Sequence, residues 1–359
     1  MSLKDRIKQL VRPEIQAMSA YHVPPATGMI KLDAMENPWP WPEELRAAWL
    51  EALHGLELNR YPDPSARALQ DTLRTAMAVP AMAGIMPGNG SDELIQMIIQ
   101  TVAGPGRVIM APEPTFVMYR QIATVAGLAF VGVPLDAHFA LDRQSVLDSV
   151  VNTQPAVIFL AYPNNPTGNL FNATVIREIL EHSSGLVVVD EAYAPFTDAS
   201  FMPELERYDN LLVLRTVSKL GLAGLRLGLL AGHPEWIAQI DKTRLPYNIG
   251  TLNQVTGVLA LAHRDVFDAQ ARQIRTARAV LDAGLRRFGQ LVVYPSEANF
   301  ILFRVPAGRA GEIFAALQQA GILIKNLDGT LPALSDCLRV TVGQPQENAA
   351  FLAALGDLI

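Results

Sequence analysis

A lysine stands in a run of hydroxyl, glycine and apolar residues that suits amine chemistry. The segment Thr-Val-Ser-Lys-Leu-Gly-Leu-Ala-Gly-Leu-Arg spans residues 216–226, with Thr216 and Ser218 just before Lys219 and Arg226 at its end. A lysine among apolar residues either extends its ammonium to solvent or reacts as an amine, and for an isolated lysine the first is commoner. The two glycines would let the backbone pass close to a ligand.

A carboxylate and a phenol follow a second apolar run. Asp190 comes directly after Leu-Val-Val-Val at 186–189, and Tyr193 lies three residues further on. A carboxylate buried at a strand end needs a cationic partner. That partner is a ligand, a basic side chain in an internal salt bridge, or a helix terminus. A third apolar run is followed by Tyr-Pro-Asn-Asn-Pro-Thr-Gly at 162–168, which is either an ordinary turn or a turn that presents amides to a ligand.

An anion cradle is predicted upstream of these segments. Gly-Asn-Gly-Ser-Asp-Glu at 88–93 precedes a helical pattern, so the backbone N–H groups of Ser91 and Asp92 would face an anion at a helix N-terminus. The motif is neither a dinucleotide-binding fingerprint nor a Walker loop. Pyridoxal 5'-phosphate requires this combination from a protein: a lysine, a carboxylate, hydrogen-bond donors and a phosphate-binding cradle.

Alternating strands and helices are predicted to position these residues. The strands are unbroken apolar runs, which is typical of strands covered on both faces, so we predict an α/β fold with a mostly parallel central sheet and helices on both faces. The predicted strands are 107–111, 128–134, 156–161, 186–189, 211–214 and 227–231. The predicted helices between them are 65–78, 92–102, 115–125, 173–182 and 235–244.

The pattern changes after about residue 250, where a smaller α+β domain is predicted. It comprises one long helix over 251–288, strands at 291–294, 299–304, 322–324 and 338–342, and helices at 310–319 and 346–355. We therefore expect an N-terminal arm (1–35), a large cofactor-binding α/β domain (36–250) and a small C-terminal α+β domain (251–359).

Composition excludes several classes of protein. The 359 residues carry a net charge of −6 and one cysteine, so a disulfide framework and a zinc-cysteine cluster are excluded, and a nucleic-acid partner is disfavoured. The six histidines lack metal-ligand spacing, and no apolar run reaches the length of a membrane span. We expect a cytoplasmic protein without a metal or a membrane partner.

The motifs at 164–168, 190–193 and 218–226, in this order and spacing, resemble those of the fold-type I, pyridoxal-phosphate-dependent aminotransferases. Within that group the chain is most similar to histidinol-phosphate aminotransferases, and the resemblance extends from about residue 21 to the C-terminus. It implies a homodimer of histidine biosynthesis whose substrates are histidinol phosphate and 2-oxoglutarate, with glutamate as a product.

The resemblance implies a role for each residue around the cofactor ring. Lys219 would bind the cofactor aldehyde and later move a proton, and Asp190 would pair with the ring nitrogen. Tyr193 and Asn165 would hydrogen-bond the ring oxygen, and Phe116 would lie against the ring face. From the residues alone, Phe116 is nearly as well explained as a core aromatic on the predicted helix.

The resemblance also implies how phosphate and substrate are held. The phosphate ligands would be the amides of Ser91 and Asp92, the hydroxyls of Thr216 and Ser218, and the guanidinium of Arg226. Tyr61 would reach the phosphate of the neighbouring subunit, and Arg339 would bind the anionic end of the substrate. The loop before Arg226 is one residue shorter than in many relatives.

Further substrate contacts are expected around the imidazole and phosphate ends. Lys325 stands where some relatives have an arginine, and is either a phosphate ligand or a solvated surface lysine. Asn165 would contact the substrate as well as the cofactor. Tyr21, His22 and Glu36 would line the imidazole end.

Three alternatives to this activity stay open at the level of sequence. A threonine-phosphate decarboxylase and a broad aromatic aminotransferase share the fold and the cofactor motifs. A cofactor-binding transcription regulator would need a DNA-binding domain, and the segment before the matching region is too short and insufficiently basic for one.

Overall fold

The computed structural model describes residues 1–20 and 24–359. Its strands are β1 (Ile30–Lys31), β2 (Gly84–Gly88), β3 (Val108–Glu113), β4 (Ala129–Pro134), β5 (Val157–Ala161), β6 (Leu186–Asp190), β7 (Leu211–Thr216), β8 (Gly228–Gly232), β9 (Val292–Val293), β10 (Phe300–Arg304), β11 (Ile322–Leu323), β12 (Lys325–Asn326) and β13 (Cys337–Thr341). Its α-helices are α1 (Leu3–Leu10), α2 (Pro13–Gln16), α3 (Glu43–Leu53), α4 (Arg67–Ala76), α5 (Ser91–Val102), α6 (Met118–Val125), α7 (Arg143–Thr153), α8 (Ala173–His182), α9 (Pro234–Ile240), α10 (Thr251–Ala262), α11 (Arg264–Arg286), α12 (Ala310–Gln319) and α13 (Pro345–Gly356). None of the helices in these ranges has the length and hydropathy that a bilayer crossing requires.

The central sheet has seven strands in the order β2-β8-β7-β6-β5-β3-β4. Strands β4, β3, β5, β6 and β7 are parallel, whereas β8 is antiparallel to both of its neighbours. The predicted mostly parallel sheet is therefore confirmed. Strand β2 was not predicted, because its sequence Gly-Ile-Met-Pro-Gly has two glycines and a proline; β2 lies at the edge of the sheet, where proline is tolerated.

Helices cover both faces of this sheet, as the unbroken apolar strands predict. In β5, Ile158 and Leu160 belong to one apolar cluster, while Val157 and Phe159 belong to another on the opposite face. Helices α4, α8 and α10 contribute to the first cluster, and α5 and α6 to the second. Each fully buried side chain of this size contributes about 1.5–3 kcal/mol, so both faces stabilise the strands that carry the site.

The C-terminal part contains a four-stranded antiparallel sheet, β12-β13-β10-β9, with α11, α12 and α13 packed beside it. The prediction of one helix over 251–288 is wrong. Helix α10 ends at Ala262, and His263 departs from helical geometry with φ −106° and ψ 38°. The apolar spacing continues across this break, so the periodicity alone could not reveal it.

Several other boundaries differ from prediction by a few residues, and two of them lie near the junction with the C-terminal part or within it. The helix predicted over 235–244 ends at Ile240 and continues as a 3-10 turn, and the strand predicted over 322–324 is the short β11. Strand β11 pairs in parallel with β1, so the end of the predicted N-terminal arm is held against the C-terminal part. The division into arm, large domain and small domain stays a prediction.

Candidate active site

A cavity of about 120 Å³ lies at the carboxyl ends of β5, β6 and β7, beside the N-terminus of α5. This edge of a parallel sheet is where α/β proteins place their ligands. Ten of the predicted site residues line the cavity: Ser91, Asp92, Phe116, Asn165, Asp190, Tyr193, Thr216, Ser218, Lys219 and Arg226. Met35 also lines it and was not predicted.

Lys219 lies in a 3-10 turn (Ser218–Leu220) directly after β7. Its Nζ donates a hydrogen bond to the Ala34 carbonyl at 3.2 Å and lies 5.8 Å from the centre of the Tyr193 ring. Burial, and secondly the positive charge of Arg339, lower the pKa of Lys219 to about 8. This amine therefore gives up its proton more readily than an exposed lysine does, as nucleophilic and base chemistry requires.

Asp190 is the last residue of β6, and its carboxylate is buried. The Ala192 amide donates to Oδ1 at 3.1 Å, and the Tyr119 hydroxyl donates to Oδ2 at 2.7 Å. Burial raises the pKa of Asp190 to about 6, although these two hydrogen bonds act in the opposite direction. Sequence reasoning missed Tyr119, which follows Phe116 by three residues at the start of α6.

Two aromatic side chains complete the walls of the cavity near the lysine and the carboxylate. Tyr193 is buried, and its ring packs edge-on against Phe300 with 5.1 Å between centres. Burial raises the pKa of the Tyr193 phenol, so its hydroxyl is protonated and available as a donor. Phe116 precedes α6 and meets Tyr119 edge-on at 5.5 Å.

The amides of the 162–168 turn have different surroundings. Asn165 lines the cavity, and its Oδ1 accepts a hydrogen bond from Arg339. Asn164 is fully buried, donating to the Thr167 hydroxyl at 2.7 Å and accepting from Thr115 at 2.8 Å. Asn164 therefore stabilises the turn, and Asn165 is the amide presented to a ligand.

An anion-binding corner is built around the first turn of α5. Gly90 precedes the helix with φ +82° and provides no side-chain cap. Arg226 donates to Ser218 Oγ at 3.4 Å and to Asp92 Oδ2 at 3.3 Å, and the Thr216 hydroxyl donates to Ser218 Oγ at 2.9 Å. Glycine is needed at residue 90 because φ +82° with ψ 170° strains any other residue, and a Cβ there would also lie 2.7 Å from Arg226 Nη2.

Arg339 is a buried residue of β13 on the far side of Asn165. Besides its bond to Asn165, it donates to the Asp33 carbonyl at 3.0 Å and lies 5.1 Å from the centre of the Phe300 ring. Lys325 pairs in register with Arg339 from β12 but does not line the cavity. Glu36 forms an ion pair with Lys31.

Tyr61 is placed outside the cavity of its own chain. It is 79% exposed and stacks on Tyr247 with 4.3 Å between ring centres. The predicted contact of Tyr61 with a neighbouring subunit stays a prediction. Tyr21 and His22 lie outside the described residues.

The donor set fits pyridoxal phosphate. Lys219 provides an amine of lowered basicity for an aldehyde, Asp190 a buried carboxylate for a ring nitrogen, and Tyr193 a protonated phenol for a ring oxygen. The uncapped N-terminus of α5 with Arg226 provides amide donors and a cation for a phosphate.

Comparisons with known proteins show the family and the fold. The profile of the family described as "Aminotransferase class I and II" matches residues 27–355. The chain is 56% identical over 352 residues to histidinol-phosphate aminotransferase 2 of Nitrosococcus oceani, covering 98% of each chain. It is 51% identical over 353 residues to histidinol-phosphate aminotransferase of Chromobacterium violaceum, covering 98% of this chain and 99% of that one. The solved histidinol-phosphate aminotransferase from Sinorhizobium meliloti, in complex with pyridoxal-5'-phosphate, has a TM-score of 0.86 at 23% identity, covering 98% of both chains. This structural likeness confirms the predicted fold.

Proposed function

The chain belongs to the class I and II aminotransferase family, and we propose that it transfers the amino group of L-histidinol phosphate to 2-oxoglutarate. The products are imidazole-acetol phosphate and L-glutamate. The observation that carries the proposal is the convergence of Lys219, Asp190 and the anion-binding corner on one cavity, in a chain whose relatives at 47–56% identity are named for this activity. The same names favour this reaction over decarboxylation of threonine phosphate.

Lys219 is proposed as the group that moves protons. Pyridoxal phosphate, when bound, supplies an aldehyde that takes up the amino group and a ring that withdraws electrons from the substrate carbon. With that group bound, Lys219 Nζ would accept the proton of the substrate carbon and redeliver it. Its lowered pKa, about 8, keeps a neutral amine accessible under physiological conditions.

Asp190, Tyr193 and Asn165 are proposed to hold the ring. The Asp190 carboxylate favours a protonated ring nitrogen by its negative charge, which strengthens the ring's electron withdrawal. The Tyr193 hydroxyl and the Asn165 amide donate to the ring oxygen. Because Arg339 donates to Asn165 Oδ1, the amide is oriented with Nδ2 as its donor end.

The phosphate is proposed to bind where α5 begins. Ser91 and Asp92 offer backbone N–H groups, and the dipole of α5 favours an anion at this end. Arg226 lies within hydrogen-bond distance of Ser218, so a phosphate placed there meets a guanidinium and hydroxyls together. The ion pair with Asp92 holds the Arg226 side chain over this corner.

Arg339 is proposed to bind the anionic end of each substrate in turn. Histidinol phosphate presents a phosphate, and glutamate and 2-oxoglutarate present a carboxylate, so one guanidinium serves both half-reactions. Lys325 is proposed to add a second positive charge from β12, next to Arg339 in the sheet. Glu36, Tyr21 and the rest of the imidazole end stay predictions.

The active form is proposed to be a homodimer in which Tyr61 completes the partner's phosphate site. The exposed Tyr61 stacks on Tyr247, and Leu58 and Leu245, close to them in sequence, are 67% and 73% exposed. Large apolar side chains exposed together on a surface are typical of an interface. The cytoplasmic location stays a prediction.

The proposal is tested by adding histidinol phosphate, without an oxo acid, to the purified yellow protein. We expect the absorbance to change from the aldehyde form of the cofactor to its amine form, and 2-oxoglutarate to reverse the change. A protein that ignores histidinol phosphate but releases carbon dioxide from threonine phosphate would refute the assignment. Conversion by aromatic amino acids alone would identify a broad aromatic aminotransferase instead.

A further inference from the structure

We propose that Tyr119 is a positioning residue that anchors the Asp190 carboxylate in the orientation needed to meet the cofactor's ring nitrogen. The inference rests on the proposed function, because it gives Asp190 the task of holding that nitrogen. Tyr119 does not line the cavity, so it acts through Asp190 and not on the cofactor directly.

The position of the Tyr119 hydroxyl is fixed by packing. The side chain is fully buried in α6, and its ring stacks on Phe159 with 4.7 Å between centres and 10° between planes. Phe116 closes another side of the ring, edge-on at 5.5 Å. With the ring held in this way, the hydroxyl reaches Asp190 Oδ2 at 2.7 Å, a distance typical of a strong O–H···O bond to a carboxylate.

Two independent elements hold the two oxygens of Asp190. The Ala192 amide, on the loop that follows β6, donates to Oδ1 at 3.1 Å, and Tyr119, on α6, donates to Oδ2. The two bonds together set the plane of the carboxylate. A buried carboxylate without such donors would turn and would take up a proton more readily.

The charged surroundings make these donors important. Burial opposes the charge of Asp190, and the nearby carboxylates of Asp92 and Glu191 add to that opposition, whereas Tyr119 and the Ala192 amide favour the charge. Burial and the Asp190 charge also raise the pKa of Tyr119 well above its usual value, so its hydroxyl keeps its proton and remains a donor.

The test is the Tyr119→Phe variant, which keeps the ring packing and removes the hydroxyl. Hydrogen bonds to charged groups contribute about 1.5–3 kcal/mol, which corresponds to about tenfold or more in a binding constant. We expect the dissociation constant of pyridoxal phosphate for the apoenzyme to rise at least about tenfold. We also expect the Asp190 pKa, followed by carbon-13 NMR of the apoenzyme, to rise above its value of about 6.

Tyr294→Phe is the matched control. Tyr294 is also a buried tyrosine packed edge-on against a phenylalanine, Phe139 at 4.9 Å, but it belongs to a different apolar cluster. We expect this variant to change neither the cofactor affinity nor the Asp190 pKa.

A second variant separates positioning from a general loss of structure. In the Asp190→Asn background, Tyr119→Phe should change cofactor affinity less than about threefold, because the charge that the hydroxyl serves is absent. An equal loss in both backgrounds, or an unchanged Asp190 pKa in Tyr119→Phe, would overturn the proposal. Because both measurements use the apoenzyme and the cofactor, failure to use histidinol phosphate would reject only the proposed substrate.

Discussion

Replacing Lys219 by methionine should stabilise the apoenzyme while abolishing its activity. The lysine side chain lies in the cavity, where burial and the charge of Arg339 disfavour the ammonium form. Methionine fills a similar volume without a charge. The variant therefore removes an unfavourable interaction that function requires and folding does not.

The magnitude follows from the pKa of Lys219. A fall from 10.5 to about 8 corresponds to about 3 kcal/mol at pH values below 8, where both the folded and the unfolded states carry the proton. Part of the side chain is accessible to solvent, which screens the charge, so we expect about 2 kcal/mol. Between about pH 8 and 10.5 the unfolded state binds more protons, and wild-type stability should rise with pH relative to the variant.

Urea unfolding of the two apoproteins at about pH 7 and pH 10 measures both effects. The Lys219→Met variant should be more stable at the lower pH, and the difference should shrink at the higher pH. Lys242→Met, at an exposed 3-10 turn, is the control and should change stability by less than about 0.5 kcal/mol. A Lys219→Met variant less stable than wild type at both pH values would refute the reasoning.

Three further predictions concern the other parts of the site. Asp190→Asn should stabilise the apoenzyme by about 2 kcal/mol at pH 7, measured by urea unfolding, and this stability difference should disappear as pH falls from about 6 to 4. The same variant should weaken cofactor binding, measured by titration of the apoenzyme. Mixed dimers of Lys219→Ala and Tyr61→Ala subunits should regain activity in one site of two, and no recovery would place Tyr61 in its own subunit's site. Gly90→Ala should weaken cofactor binding at least about tenfold, measured by titration of the apoenzyme, because φ +82° and ψ 170° at this residue strain an alanine and shift the start of α5.

Much of the fold can be predicted from the apolar runs in the sequence, because strands that are buried on both faces consist of consecutive apolar residues without alternating polar ones. Where this pattern fails, a local feature explains the failure. Helix α7 was not predicted because only Val146 and Val150 are buried in it, although the Asp142 cap, which accepts from the Ser145 amide at 2.8 Å, is visible in the sequence. No comparable sequence feature indicates the helix break at His263, because the apolar spacing continues on both sides of it.

The candidate site was predictable where its residues directly follow strands, and less so where they come from other elements. Asp190 ends β6, while Lys219 and Asn165 come shortly after β7 and β5, and the topology of a parallel sheet brings such positions together. Tyr119 belongs to a helix, and only the folded structure shows that its hydroxyl reaches Asp190 at the end of β6. A buried tyrosine three residues after a predicted cofactor contact is too common a pattern to distinguish in a sequence.

Arg339 connects substrate binding to the proton chemistry of Lys219. Its charge is one cause of the lowered Lys219 pKa, and it is also the proposed partner of the substrate's anionic end. A phosphate or carboxylate bound to Arg339 offsets its positive charge, so the pKa of a released Lys219 amine rises when substrate is present. Lys219 then becomes a stronger proton acceptor at the stage when the substrate carbon must lose its proton. Without substrate the cavity lowers the basicity of the Lys219 amine, and an anionic substrate bound to Arg339 restores the basicity that the next step needs.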